Sequence, residues 1–585
     1  MKKIIRTAVI VSVLMIAGFV AFLYKMSENS EKLKEEHTKS INEESGIVSL
    51  QEKQFALDIP GTVQIEDLVV AGAEANVLLF DNNGAIDIYT VEHSAQVKEQ
   101  LVRMQSRKEY TFKEPLLAYN PYGTNACGLY IYFSTDTKCS LKYTVSVADE
   151  TIPDFTRTMT ESALNGKNAY EYFLTGLVPG RENYVRLELM AEDGREIENK
   201  VYRINMPASI YGNISQVPCT YGGDVKVISN GLFYVYGNGT KSIAVYDNAG
   251  VLRQEIPVIK DSGIGVRFSN AGMYVAPDYR TIVKISPAGE VLSVAKTGEY
   301  KLKPAWDYDG MGQLVAVASK TGRNTAGDVI IAVDMNSGNV SQLVDIKKLL
   351  KRYYNKFCKG KEKKDWAGVD SLKFFDKQDV IISASGISTI VKIDNVMTKN
   401  PYVRYVIGSS ESWTKAGMGE KLLAKGEEKE EETEASDDTA ETTEASQINN
   451  ILEENSNKGP FEDINKQIGL MPYINNDGMP TVDEEGNHIP VSVYYLGTVS
   501  GNDGIESKYM RYKIDEETGV YTLNKSANTV PVNSGTVSET AVNYVMYDPQ
   551  QTMIYECDVN GYSYLQLAVS GLGVEKYSLK EYLFK

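Results

Sequence analysis

The chain has 585 residues, 42% of them hydrophobic, and a net charge of −17. That length can bury more than one core and predicts two or three domains. Tyr (38) far outnumbers Phe (15), and Val, Ile, Thr and Gly recur in short runs, as short strands and tight turns require. The absence of alternating helical patterns excludes TIM-barrel and Rossmann architectures. There is no GxSxG, HExxH or P-loop motif. None of the five cysteines pairs at CxxC spacing, so zinc and thioredoxin-type chemistry have no support.

Lys2, Lys3 and Arg6 precede an uncharged run, TAVIVSVLMIAGFVAFLY, over residues 7–24. As a helix of 1.5 Å rise per residue, this run nearly matches the ~30 Å hydrocarbon core of a bilayer. It reads first as a retained signal-anchor transmembrane helix spanning most of residues 1–24. A cleaved secretory signal is the alternative, although no A-x-A site follows Gly18. Both readings export everything after Lys25, because the basic flank stays in the cytoplasm. The expected location is the cell membrane, single-pass, with the C-terminal body extracytoplasmic.

Residues 25–56 are charged and helix-permissive and read as a stalk. A small strand and helix segment occupies 57–114, with a turn at Asn82–Asn83–Gly84 and an amphipathic helix near VKEQLVRMQSRKEY, residues 97–110. Alternating strands over 115–206 predict a β-sandwich, whose corner is a Pro-Gly turn followed by Tyr184.

From residue 221 an internal repeat appears. Alternating apolar residues run into a polar turn at IAVYDNAG (243–250), IVKISPAG (282–289) and IIAVDMNSG (330–338). Weaker copies follow at IVKIDN (390–395), YKIDEETG (512–519) and YECDVNG (555–561). Short strands in units near 40 residues are the signature of propeller blades. Six echoes predict a six-bladed β-propeller over 221–585, so the expected fold is all-β.

The gap between the fourth and fifth echoes holds an acidic insertion at about 426–447. It has ten carboxylates against one lysine and no core residue, and reads as a disordered loop. The stretch 347–364 is opposite in sign, with nine basic residues. In an exported protein it reads as a solvated inter-blade loop, and no nucleic-acid partner is expected.

The segment DWAGVDSLKFFDKQDVIISASGISTIVKID, starting at Asp365, and YVIGSSESW further on resemble a signature of the bacterial aryl-sulfate sulfotransferase family. NPYGTN (120–125) with the sandwich after it, and AGDVIIAVDMNSGNVSQLVDIKKLL, resemble other parts of that family. The resemblance runs from about Val97 to the C-terminus. It implies a sandwich followed by a propeller, and sulfuryl transfer from phenolic sulfates to phenols through a transiently sulfated histidine. A neutral imidazole suits that role as nucleophile and leaving group, and arginine suits the oxyanion.

The matched positions depart from that chemistry. Lys303 and Pro304 stand where the family has paired histidines. Gly368 stands for the histidine of the DWxHxNS pattern, and Ser385 and Gly386 for an arginine and the histidine after it. Gln467–Ile468 corresponds to the Gln-His pair that bears the sulfated residue. The whole chain has three histidines, His37, His93 and His488, which read as stalk, surface and loop residues. No catalytic residue, metal or cofactor is therefore expected. The leading expectation is a catalytically degenerate binding or structural propeller, a pseudoenzyme. The alternatives are an active sulfotransferase with a rewired centre, using Lys303 for anion binding, and a propeller related in fold alone. The candidate central pocket is Arg267, Lys303, Asp365 and Trp366, where the cations suit an anion and Trp366 an aromatic ligand.

Overall fold

The computed structural model describes residues 64–67, 73–74, 77–79 and 87–578, apart from 160–167, 261, 270–271, 310–311, 362–363, 376–377, 427–466, 474–491, 501–506, 533–534 and 541–542. The expected anchor, the stalk, the turn at Asn82–Gly84 and the acidic insertion lie outside the described residues. Among the described residues no helix is long and apolar enough to cross a membrane.

The architecture is all-β. Two sheets precede the repeat. One orders Ala73–Glu74, Gln64–Asp67, Glu196–Asn205, Glu182–Ala191, Cys139–Val147 and Phe155–Met159; the other orders Val77–Leu79, Leu116–Tyr119, Leu129–Ser134 and Ala169–Leu174. Alternation of buried and half-buried residues from Cys139 to Ser146 turns Leu141, Tyr143 and Val145 toward Leu129, Ile131 and Phe133 in one core. Strands from the 57–114 segment extend both sheets, since Gln64–Asp67 pairs with Glu196–Asn205 and Val77–Leu79 with Leu116–Tyr119.

The helix spans Val91–Gln105, six residues earlier than its apolar pattern suggests, because Thr90 caps it by accepting from His93 N at 3.1 Å. His93 is thus a first-turn helical residue. At the sandwich corner, buried Asn183 rather than Tyr184 pins the Pro179–Gly180 turn. Its side chain accepts from Val178 N at 2.8 Å and donates to Val178 O and Arg181 O, both at 3.0 Å.

Six antiparallel sheets follow. Sheet 1 runs from Gly573–Tyr577 through Leu232–Tyr236 and Ser242–Tyr246 to Leu252–Pro257. Sheet 2 runs from Val266–Ser269 to Val291–Lys296, sheet 3 from Tyr300–Tyr308 to Val340–Asp345, and sheet 4 from Val369–Phe375 to Tyr402–Gly408. Sheet 5 runs from Gln467–Tyr473 to Val520–Thr529, with Ala424–Lys425 added in parallel. Sheet 6 runs from Thr536–Glu539 to Ser563–Ala568, with Cys219–Tyr221 at its far edge.

Every one of the six sequence echoes contains the third strand of its sheet. In sheet 1 the turn after that strand is closed by Gly250 at φ +72, and in sheet 4 by Asn395 at φ +56, the two residue types that adopt this conformation most readily. Middle strands such as Leu232–Tyr236 and Tyr544–Asp548 are buried throughout, since their sheets are covered on both faces. The fourth strands are mostly half-exposed, as Val340–Asp345 illustrates.

The first strands of consecutive sheets are joined in cyclic order. Tyr577 OH donates to Val266 O at 2.7 Å, Arg267 Nε to Trp306 O at 2.9 Å, Phe374 N to Asp307 Oδ2 at 2.9 Å and Gly469 N to Asp370 Oδ2 at 3.3 Å. The backbone of Gly469 abuts Val537, and Thr536 Oγ1 exchanges bonds of 2.9 Å with Val574 O and Val574 N. The sandwich docks on sheet 1 through buried Arg253, which donates to Pro153 O at 2.7 Å and pairs with Asp247 at 2.7 Å.

Candidate functional site

Of the positions singled out from sequence, Lys303, Asp365, Gly368 and Ile468 fall near the starts of the first strands of sheets 3, 4 and 5, and Ser385 and Gly386 follow the second strand of sheet 4. A register shift between Leu302 and Trp306 interrupts the first strand of sheet 3, leaving Lys303 half-buried and Pro304 exposed. Lys303 Nζ lies 2.7 Å from Asp365 Oδ2, and each side chain is about a third exposed, at 32%. The other carboxylate oxygen, Asp365 Oδ1, accepts from Gly368 N at 3.2 Å.

Gly368 takes a left-handed backbone, φ +56, and a Cβ there would lie 2.9 Å from Gly386 N. A Cβ on Gly386 would in turn lie 2.8 Å from Ala367 O. Ser385 Oγ donates to Gly368 O at 2.9 Å, and Gly386 N donates to Ala367 O at 2.9 Å. Lys303, Asp365, Gly368, Ser385 and Gly386 therefore form one connected group. Its ammonium is neutralised, its hydroxyl proton is taken by a carbonyl, and a side chain at either glycine would require the backbone to shift.

Arg267 belongs to a second group. It lies on the first strand of sheet 2, as its sequence context suggests, and its guanidinium meets Glu575 at 2.6 Å, Tyr577 OH at 3.0 Å and Trp306 O at 2.7 Å. Burial works against the charge, but Glu575, Tyr577 and Asp307 outweigh it and keep Arg267 firmly protonated. Trp366 is 3% exposed and packs in the core of sheets 3 and 4, edge-on to Tyr354 at 5.2 Å. It thus sits in a core while Lys303 and Asp365 are half-exposed.

Asp370, two residues beyond Gly368, escaped sequence reasoning. A register shift between Val369 and Ser371 places it at a bulge, where Oδ2 accepts from Gly469 N and Oδ1 has no partner among the described residues. Burial raises its carboxyl to about 7, partly offset by Ser383 and the Gly469 amide. Glu575 was also missed, because its strand joins sheet 1 from more than 300 residues away in sequence. Ile468 is 4% exposed and packs with Met471, Val499 and Tyr544. Its neighbour Gln467 donates to Thr389 O at 2.9 Å. All five cysteines are free thiols. His93 is the one histidine among the described residues.

These features define an all-β protein of successive four- and five-stranded sheets behind a sandwich, with a polar group at the starts of the inner strands. The arylsulfotransferase (ASST) family model matches residues 219–531, and the arylsulfotransferase Ig-like domain model matches residues 116–207. The chain belongs to the arylsulfotransferase family.

No curated protein matches the chain. Among solved structures, a putative 6-phosphogluconolactonase from Bacteroides fragilis is 9% identical, covering 76% of this chain and 99% of its own, at TM-score 0.29. The periplasmic gluconolactonase of Pseudomonas aeruginosa is 10% identical, covering 75% and 99%, at TM-score 0.28. TolB from Acinetobacter baumannii is 14% identical, covering 67% and 78%, at TM-score 0.28.

Proposed function

We propose that this arylsulfotransferase-family chain is a six-bladed propeller that has given up sulfuryl transfer and acts by binding or as a scaffold. Closure is supported by hydrogen bonds at five of the six junctions between first strands and by the close approach of Gly469 to Val537 at the junction of sheets 5 and 6. The observation that carries the functional reading is the mutual contact of Gly368 and Gly386. The family resemblance puts imidazoles at both positions, and here the backbone fills that space. Ile468, at the position of the sulfated histidine, offers neither a nucleophile nor a proton.

A small ligand would meet Lys303 and Asp365, the half-exposed charged pair. Arg267 is already engaged by Glu575, so an anion at the centre would have to compete with a carboxylate. An active transferase with a rewired centre is the second reading, favoured by Asp370, whose raised carboxyl could move a proton. Residues 7–24 would hold the body at the outer face of the membrane.

Turnover of 4-nitrophenyl sulfate with phenol as acceptor decides between the readings. No nitrophenol release above the uncatalysed rate is expected, and sustained release would establish the second reading. Membrane fractionation with and without residues 1–24 tests the anchor; a chain that remains soluble with this segment intact would remove it from the account.

A further inference from the structure

The connection between sheets 3 and 4 carries nine Lys and Arg against one Glu over residues 347–364. Its first part is helical, with Ile346–Leu349 and Lys351–Tyr353 running into a wider turn at Tyr354–Cys358. Ile346, Leu350 and Tyr353 are buried at spacings of four and three residues. One apolar stripe therefore enters the core of sheets 3 and 4, and the basic residues are left on the outside.

Lys351, Lys356, Lys359, Lys361 and Lys364 are exposed, and none of them has an ion pair among the described residues. Two neighbouring cations do have one, Lys348 at 3.8 Å from Asp345 and Arg352 at 3.7 Å from Glu420. Clustered ammonium groups repel one another, and a polyanion relieves that repulsion.

The root of the chain's own acidic segment lies beside this surface. Tyr353 packs against Trp413 with ring centres 4.6 Å apart, and Arg352 Nη1 donates to Gly417 O at 2.7 Å. From Gly417 the chain needs nine residues to reach Gly426, a span of at most ~32 Å. Gly426 N is fixed to Tyr521 O of sheet 5 at 2.9 Å. Residues 427–446 follow, with ten carboxylates against one lysine. Twenty residues can extend by ~70 Å, more than twice that span. A segment tethered so close meets the basic surface at an effective concentration in the millimolar range, an advantage that no external polyanion has.

We propose that the exposed basic surface of Lys351–Lys364 is the docking surface for the acidic segment 427–446 of the same chain. The contact is between charges at the protein surface, so it is sensitive to salt.

The full wild-type chain is treated with a water-soluble carbodiimide, which joins a carboxylate to an amine only where the two meet, and the products are mapped by mass spectrometry. Cross-links are expected from the Asp and Glu residues of 427–446 to the five free lysines. They should lie within one chain in a mixture of light and heavy-isotope protein, and should be lost in about 1 M salt. Heparin then serves as a competing polyanion. Replacing the ten carboxylates by amides should tighten heparin binding by about tenfold or more, because the tethered competitor is gone. Lys351→Gln, with the same change at the other four lysines, should abolish that difference. Cross-links that join two copies, or that avoid these lysines, overturn the proposal. So does heparin binding that is unchanged by removal of the acidic charges, or a tightening that persists without the five lysines.

Discussion

Gly368 and Gly386 lie backbone to backbone, so close that a Cβ added to Gly368 would sit 2.9 Å from Gly386 N and one added to Gly386 would sit 2.8 Å from Ala367 O. Real Cβ atoms do not approach backbone so closely without displacement, and Gly368 is in addition left-handed. The two glycines are therefore interdependent, and returning a side chain to one position requires the other to move. This separates the present centre from a site that merely lacks its nucleophile.

Gly368→Ala and Gly386→Ala should each lower stability by about 1–3 kcal/mol, Gly368 through backbone strain and contact, Gly386 through contact alone. Gly368→His should cost more than Gly368→Ala. Denaturant midpoints of the three variants check this. A Gly368→His chain as stable as wild type would mean that the space is adaptable and open to an imidazole.

The pairing of Arg267 with Glu575 joins sheets 1 and 2 in a buried setting, with side chains 11% and 16% exposed. Arg267→Met strands the carboxylate and should cost about 3–5 kcal/mol. Adding Glu575→Gln should recover part of that loss, with a coupling of about 0.5–3 kcal/mol in a double-mutant cycle. Strictly additive effects would mean the pair does not act as a unit.

Lys303 and Asp365 supply the contrast. Each is about a third exposed, so water screens the pair, and Lys303→Met should change stability by no more than about 1 kcal/mol. A loss comparable to that of Arg267→Met would assign this pair a structural role.

Asp370 predicts a pH dependence. Its carboxyl is raised from 3.8 to about 7 by burial, so between about pH 4 and 7 the folded chain holds a proton that the unfolded chain has released. The stability this group contributes is full below pH 4 and is lost as the pH rises through 7. Asp370→Asn cannot ionise and keeps an acceptor for Gly469 N. Relative to wild type it should gain stability across that window, by a few kcal/mol on the order of the shift, and level off above it. Parallel stability curves for the two chains from pH 4 to 8 would remove the raised carboxyl from the account.

Much of the fold is written locally. Each echo, from Ile243–Gly250 to Tyr555–Gly561, couples a third strand to its closing turn, and both signals lie within one short window. The sandwich alternation is equally local. What escaped depends on distant chain segments. Gly573–Tyr577 completes sheet 1, Cys219–Tyr221 completes sheet 6, and Gln64–Asp67 joins the sandwich, and pairings of such separation leave no mark on periodicity. At the site, Lys303 and Asp365 were legible as neighbours from the starts of two inner strands. The burial of Trp366 beside Tyr354, the capture of Arg267 by Glu575 and the bulge that turns Asp370 inward were not, because each depends on packing between sheets.

The central claim is that the glycine-packed centre transfers no sulfuryl group. The most direct measurement incubates the full chain with ³⁵S-labelled aryl sulfate, with and without phenol, and follows both labelled protein and labelled product. The account predicts neither a covalently labelled chain nor phenyl sulfate above the enzyme-free control. Stoichiometric labelling of the protein, chased onto phenol, would contradict it and would identify the nucleophile by the labelled residue.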